Sequence, residues 1–411
     1  MQRIINANCL SSRIVGGRPI FYNKLIKPVV HKDVILVIEE TSPFEIREII
    51  STFMPRGVIL KKGSLVGHTA GTLNSLGIQL AVCKNLPPLP LDSYIVIDGK
   101  TEKIRVHNTK ENFNKYFVPN SDRKAPETHM RCVYYKGEKV HIKIDSKSVE
   151  EIKKGILLGA DGTGILRTEW LSHEQKTPPS IDDHYKFYKR AVNAAKPYRL
   201  NIRLFDIGGD KIPIWALKDK RKLESPLGLR GIRAIQILDS AFENQIKAIC
   251  KIAAGNKVGI VLPMITDVSE IIAFKEILSK LALPKELKNI ILGCMVETPA
   301  SALEIEIILK NCDFVRIGPG DLSQFTLATL RDYISPSDLG TNNIHKSTTR
   351  LIEMVSKAGT KHKKEVNMCL DFEPRKNLLR KLLKTGIRTF CVSASNIQKV
   401  KEVVLDIQHK F

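Results

Sequence analysis

The chain reads as an α/β protein of two unequal parts, a small α/β unit followed by a (β/α)8 TIM barrel. Three observations predict this. Short apolar runs alternate with helix-length segments along most of the chain. A polar stretch rich in Asn, Lys and Pro interrupts them at 108–130. Eight further strand–helix alternations then follow over roughly 280 residues, the count of a closed barrel. With 411 residues, 43% of them hydrophobic, there is enough chain for two cores.

The first unit, 1–107, shows its pattern at 33–38, a continuous apolar run of strand length. Ser42 and Pro43 then start a helix, with proline in the first turn where its missing N–H is no loss. A second strand is predicted at 57–60. The stretch SLVGHTAGTLNSLGIQLAV, from Ser64 to Val82, follows with a helix that stops near Gly77. Runs at 80–83 and 93–97 continue the sheet. Segment 108–132 reads as a linker, and 133–411 as the barrel. Its strands are predicted at 140–144, 155–159, 200–205, 259–264, 291–296, 314–317, 365–368 and 388–392.

One histidine stands off any periodic apolar face. His68 follows Gly67 and precedes Thr69, Ala70 and Gly71, at the mouth of a helix. Free N–H groups and the positive end of the helix dipole gather there and favour an anion. An imidazole carrying a phosphoryl group is such an anion.

Several classes are set aside. No apolar run approaches the ~20 residues needed to span a bilayer, and the first residues lack the apolar core of a secretory leader. Eight cysteines without a CxxC pair suggest neither a disulfide scaffold nor a zinc site, but a reducing cytoplasm. A net charge of +22 raises a nucleic-acid partner. Its basic clusters, 218–222 and 361–364, are short and lack interleaved aromatics, so none is expected. Neither GxGxxG nor GxxxxGK[ST] occurs.

The ends of the predicted barrel strands carry the chemistry, as barrel active sites do. Arg167 lies in ADGTGILRTEWL, Arg203 and Asp206 in RLFDIGGDK, and Arg230 and Arg233 in SPLGLRGIRA. Glu297 lies in CMVETPAS, Asp321 and Arg331 in IGPGDLSQFTLATLRD, and Cys369 in VNMCLDF. Guanidinium forks clamp phosphate and carboxylate. Two carboxylates can hold Mg2+, which keeps waters and takes substrate oxygens. A thiol beside an enolate can pass one proton. These groups describe a small substrate that is both phosphorylated and carboxylated.

The motifs ADGTGILRTEW, RLFDIGGDK, LGLRGIR, VETPAS and IGPGDLSQFTLA, in that order, resemble the phosphoenolpyruvate-utilising family. That family includes enzyme I of the bacterial sugar phosphotransferase system, phosphoenolpyruvate synthase and pyruvate phosphate dikinase. The stretch around His68 resembles its swivelling phosphohistidine domain. The resemblance implies a Mg2+-dependent phosphotransferase, a kinase that uses phosphoenolpyruvate, releases pyruvate and passes phosphate onward. His68 would take the phosphoryl group and Cys369 would protonate the pyruvate enolate. Arg167, Arg203, Arg230 and Arg331 would bind substrate, and Glu297 and Asp321 the Mg2+. It further implies a homodimer and a separate phosphoryl acceptor, protein or small molecule. The helical module that docks the phosphocarrier protein and the ATP-binding domain of the dikinases would both be lacking. The chain departs from the family at Gly320, where Asn is common, and at 370–374 after the cysteine. Those departures leave an alternative, a degenerate regulatory protein that binds phosphoenolpyruvate without turnover.

Overall fold

The computed structural model describes residues 3–11, 13–22, 34–41, 46, 49, 55–63, 65, 69–70, 73, 78–117, 132–171, 175–209, 211–330, 344–370 and 375–408. They form two compact units, one built on 1–129, 329–343 and 371–378 and the other on 130–328, 344–370 and 379–411.

The first unit is organised by one mixed sheet. Its strands are β1 (Arg3–Asn6), β2 (Asn8–Cys9), β3 (Ile14–Phe21), β4 (Val34–Ile38), β5 (Gly57–Leu60), β6 (Gln79–Val82), β7 (Tyr94–Asp98) and β8 (Lys103–His107). They lie in the order β1-β8-β7-β3-β4-β5-β6-β2. Strands β3 to β6 run parallel, and antiparallel strands flank them on both sides. Every residue of β4, β5 and β6 is buried, because both faces are covered. Alternate residues therefore serve different cores: Leu36 and Ile38 join Ile46, Ile49, Ala70 and Leu73, while Ile35 and Val37 join Ile59 and Ile97. A strand buried on both sides needs an unbroken apolar run, and this is why it was readable.

Within the stretch read as a linker, Lys110–Tyr116 is a helix, α1, packed on the first sheet. Thr109 caps it, its side chain accepting the Asn112 N–H at 3.3 Å. Phe113 and Phe117 close over Val96. Gly16 makes room for them, since a Cβ there would sit 2.6 Å from the Phe113 ring.

The second unit begins with a hairpin, β9 (Val133–Tyr135) against β10 (Glu138–Ser146), turned at Lys136 and Gly137. Both turn residues have positive φ, as a two-residue hairpin of this hand requires. Strands β11 (Thr163–Leu166), β12 (Leu200–Arg203), β13 (Val258–Ile265), β14 (Ile290–Val296), β15 (Phe314–Ile317), β16 (Glu365–Leu370) and β17 (Thr389–Val392) follow. Each pairs parallel with the next, and β17 pairs with β10, so eight strands close a (β/α)8 barrel. Its interior is filled by Ile165, Val261, Met295, Phe314 and Cys369.

One predicted strand is corrected. Residues 155–159 do not form a strand: Gly155 belongs to helix α2 (Val149–Leu157), and the strand lies later, at β11. Ser148 caps α2 by accepting the Glu151 N–H at 3.1 Å. A short apolar run does not by itself distinguish a buried helix face from a strand. Gly155 is where the helix touches the barrel, and a Cβ would lie 2.5 Å from Ile144 Cγ1.

Candidate active site

The parallel strands direct their C-terminal ends to one face of the barrel, and buried charges converge there. Arg203 ends β12. Its guanidinium pairs with Glu169, just past β11, and with Asp206 at 3.5 Å. Asp206 also receives Lys211 and the Nε of Arg230, the latter at 3.3 Å. Arg230 reaches on to Asp321 at the start of helix α3 (Pro319–Thr326), with Nη1 and Nη2 donating to its two oxygens at 3.1 and 3.2 Å. Arg203 and Arg230 thus share Asp206, and Arg230 joins Asp206 to Asp321. Arg203, Asp206, Arg230 and Asp321 are all buried.

Glu297, directly after β14, accepts the Met264 N–H at 3.1 Å. A Cβ on Gly318 would lie 2.7 Å from its carboxylate, so glycine lets β15 pass this close. Burial raises the Glu297 carboxyl to about 7, and the neighbouring Asp321 and Asp206 add to the shift against the pull of Arg203 and Arg230. Burial acts on Asp206 in the same sense. There Arg230, Lys211 and Arg203 prevail and hold it well below the usual carboxylate range. Two carboxyls within one cluster are driven in opposite directions, a pattern characteristic of functional sites. Arg203 Nε and Glu169 Oε2 are buried without a protein partner, and such atoms mark where polar groups of a ligand can sit.

A second layer fixes these strand ends. Gln245, on the helix Asp239–Ala253, accepts the Phe205 N–H at 3.0 Å and donates to Thr168 Oγ1 at 2.9 Å and to Tyr188 OH at 3.0 Å. Thr168 Oγ1 donates in turn to the Arg203 carbonyl at 2.9 Å. One amide therefore ties the end of β11 to the end of β12.

The protein matches the family described as PEP-utilising enzyme, PEP-binding domain, over residues 121–409, where PEP is phosphoenolpyruvate. The chain belongs to the PEP-utilising enzymes. It is 30% identical over 391 residues to the phosphoenolpyruvate-protein phosphotransferase of Buchnera aphidicola subsp. Acyrthosiphon pisum, covering 91% of this chain and 68% of that protein. The Haemophilus influenzae protein of the same name is 26% identical, with 92% and 68% covered. A multiphosphoryl transfer protein of Xanthomonas campestris pv. campestris is 26% identical over 76% of this chain and 38% of its own length. Among solved structures, citrate synthase SbnG is similar over 66% of this chain and 94% of its own, at 12% identity and a TM-score of 0.37. The barrel itself rests on its strand pairing.

Within this PEP-utilising barrel, Arg203, Arg230, Glu297 and Asp321 fall in one cluster. Arg167 stands at its border: it lies 3.9 Å from Asp145 and acts on the charge of Arg203. Cys369 is placed differently, inside the barrel, where Arg316 Nη2 donates to its sulfur at 3.2 Å. His68 and Arg331 lie outside the described residues. Sequence reasoning missed Glu169, Lys211, Asp145 and Arg316. The first two lie within or beside the quoted motifs RTEW and GGDK, so a buried arginine's need for a carboxylate partner could have pointed to Glu169. Among the described residues no group of three or more His, Cys, Asp or Glu side chains stands ready to hold a metal ion. Nor is any helix there long and apolar enough to cross a membrane.

Proposed function

We propose that the chain is a phosphoenolpyruvate-dependent phosphotransferase in which His68 takes the phosphoryl group and hands it to a separate protein or small-molecule acceptor. The observation that carries this reading is the run of shared contacts from Arg203 through Asp206 and Arg230 to Asp321. Phosphoenolpyruvate places a phosphate beside a carboxylate, and guanidinium forks match both. Here the forks are already held by carboxylates, so little side-chain freedom remains to be lost on binding. Arg203 and Arg230 are assigned to the substrate, with Arg167 beside them and Arg331 on family resemblance.

The step balances as follows. The bond between phosphorus and the enol oxygen breaks as phosphorus bonds to a ring nitrogen of His68. The enolate left behind takes a proton at its methylene carbon, which Cys369 is assigned to supply, and pyruvate leaves. Collapse of the enol to the ketone makes the donor strong enough to phosphorylate an imidazole without ATP. Positioning and charge neutralisation then account for most of the catalysis.

Mg2+ is assigned to Glu297 and Asp321. The donor set fits: burial and crowding by Asp321 and Asp206 raise Glu297, and a divalent cation relieves that repulsion. Two carboxylates also suit an ion that keeps water and takes substrate oxygens. When bound, it would neutralise charge on the phosphate. The eight free cysteines support a cytoplasmic setting, and family resemblance supports a homodimer.

Incubation with 32P-labelled phosphoenolpyruvate tests the reading. Acid-labile, hydroxylamine-sensitive label is expected on the wild type and not on His68→Ala. Absence of label from both, with phosphoenolpyruvate still raising Tm, would instead establish the regulatory alternative.

A further inference from the structure

Arg316, on β15, is fully buried inside the barrel. Its Nη2 donates to Asp145 Oδ1 at 2.8 Å and to Cys369 Sγ at 3.2 Å, while Nη1 donates to Cys391 Sγ at 3.3 Å. Cys369 and Cys391 are register partners on β16 and β17, so one planar fork spans both thiols. Asp145 lies also 3.9 Å from Arg167. Arg316 and Arg167 thus both face the Asp145 carboxylate.

Ile165, Val261, Met295 and Phe314 pack around Cys369 and are apolar. Lys143 and Glu365, which act on Cys391, are ion-paired with each other. Burial pushes the Cys391 thiol up to about 12, against the pull of Arg316, so Cys391 keeps its proton. Cys369 is the other sulfur within reach of the same fork, 3.2 Å from Nη2. A buried guanidinium is costly to keep, and one aimed at a thiol lowers the cost of forming the thiolate.

We infer that Arg316, anchored by Asp145, is the positioning residue for Cys369, aiming its thiol and stabilising the thiolate left when its proton departs. The inference rests on the proposed role of Cys369 as the enolate's acid. The S–H bond breaks as the C–H bond of pyruvate forms. The thiolate remains against Arg316 Nη2 until solvent returns a proton.

Full-length protein carrying [3-13C]cysteine tests this, with the Cys369 resonance assigned by Cys369→Ser. In Arg316→Gln the Cys369 titration midpoint should rise by at least one pH unit, a tenfold loss of acidity. The kcat for pyruvate release should fall at least tenfold, while the Kd for phosphoenolpyruvate changes less than threefold. Arg316→Lys should bring the midpoint back toward the wild-type value. An unmoved midpoint in Arg316→Gln, equal losses in affinity and turnover, or a wild-type Cys369 still protonated at pH 10 overturns the inference. Should Arg316→Gln not fold, the charge-neutral pair Asp145→Asn/Arg316→Gln is read in the same way. If the wild type takes no label from phosphoenolpyruvate, the proposed reaction fails, and the titration still decides whether Arg316 governs Cys369.

Discussion

Arg230 bridges Asp206 and Asp321: Nε lies 3.3 Å from Asp206 Oδ1, and Nη1 donates to Asp321 Oδ1 at 3.1 Å. These residues come from three separate segments, the ends of β12 and β15 and the loop before the 3-10 turn Gly231–Gln236. Arg230→Met strips a buried cation from two carboxylates, a change that costs about 3–5 kcal/mol. Urea denaturation should register that loss, and calorimetric titration should show at least a tenfold weaker affinity for phosphoenolpyruvate. Arg230→Lys keeps the charge but not the planar fork. It should regain part of the stability and little of the affinity.

Gln245 ties two strand ends through one amide, accepting from Phe205 N and donating to Thr168 Oγ1. Gln245→Leu leaves the buried Phe205 N–H without its acceptor, at a cost of about 1–3 kcal/mol. Tm should fall, and kcat/KM should fall with it because Arg203 and Arg167 lose a common anchor. Unchanged kcat/KM beside a lowered Tm would mean that the amide serves the fold alone.

His184 makes stability depend on pH. Burial lowers it from its ordinary 6.5 to about 4, slightly offset by Asp183. The folded state therefore binds fewer protons, and the stability from this group is present above 6.5 and is lost as pH falls toward 4. About 2 kcal/mol should disappear between pH 7 and pH 5. His184→Phe should remove that part of the slope when unfolding free energies are compared at the two pH values.

Gly155→Ala would bring a methyl group 2.5 Å from Ile144 Cγ1. Overpacking of this kind costs about 1–3 kcal/mol. Combined with Ile144→Ala, which vacates the space, the two changes should cost less than their sum. A thermal unfolding cycle of the four proteins measures the coupling.

How much was legible follows from burial and from distance along the chain. Strands covered on both faces are unbroken apolar runs, so 314–317 and 57–60 were read with the bounds the structure has. Strand β3 was missed because Gly16, Gly17 and Pro19 punctuate it, and a half-exposed strand carries no continuous run. Helix α1 was hidden in polar sequence, with Phe113 as its one buried residue. In the site, the strand-end rule sufficed to nominate Arg203, Glu297 and Asp321, because each follows an apolar run, whereas Arg230 lies in the loop before the 3-10 turn Gly231–Gln236. The partner of a buried charge is another matter. Asp145 and Arg316 are 171 residues apart, and only closure of the barrel brings them together.

That closure has a consequence for biogenesis. The first barrel strand bonds to the last, with His141 opposite Thr389, so no ring exists until the final one has been made. A ribosome that has released everything through β16 has therefore exposed two unsatisfied edges and an uncovered interior, the condition in which nascent chains stick to one another. Truncation before Val392 should yield inclusion bodies rather than a smaller working enzyme, and chaperone demand should peak in the last moments of synthesis.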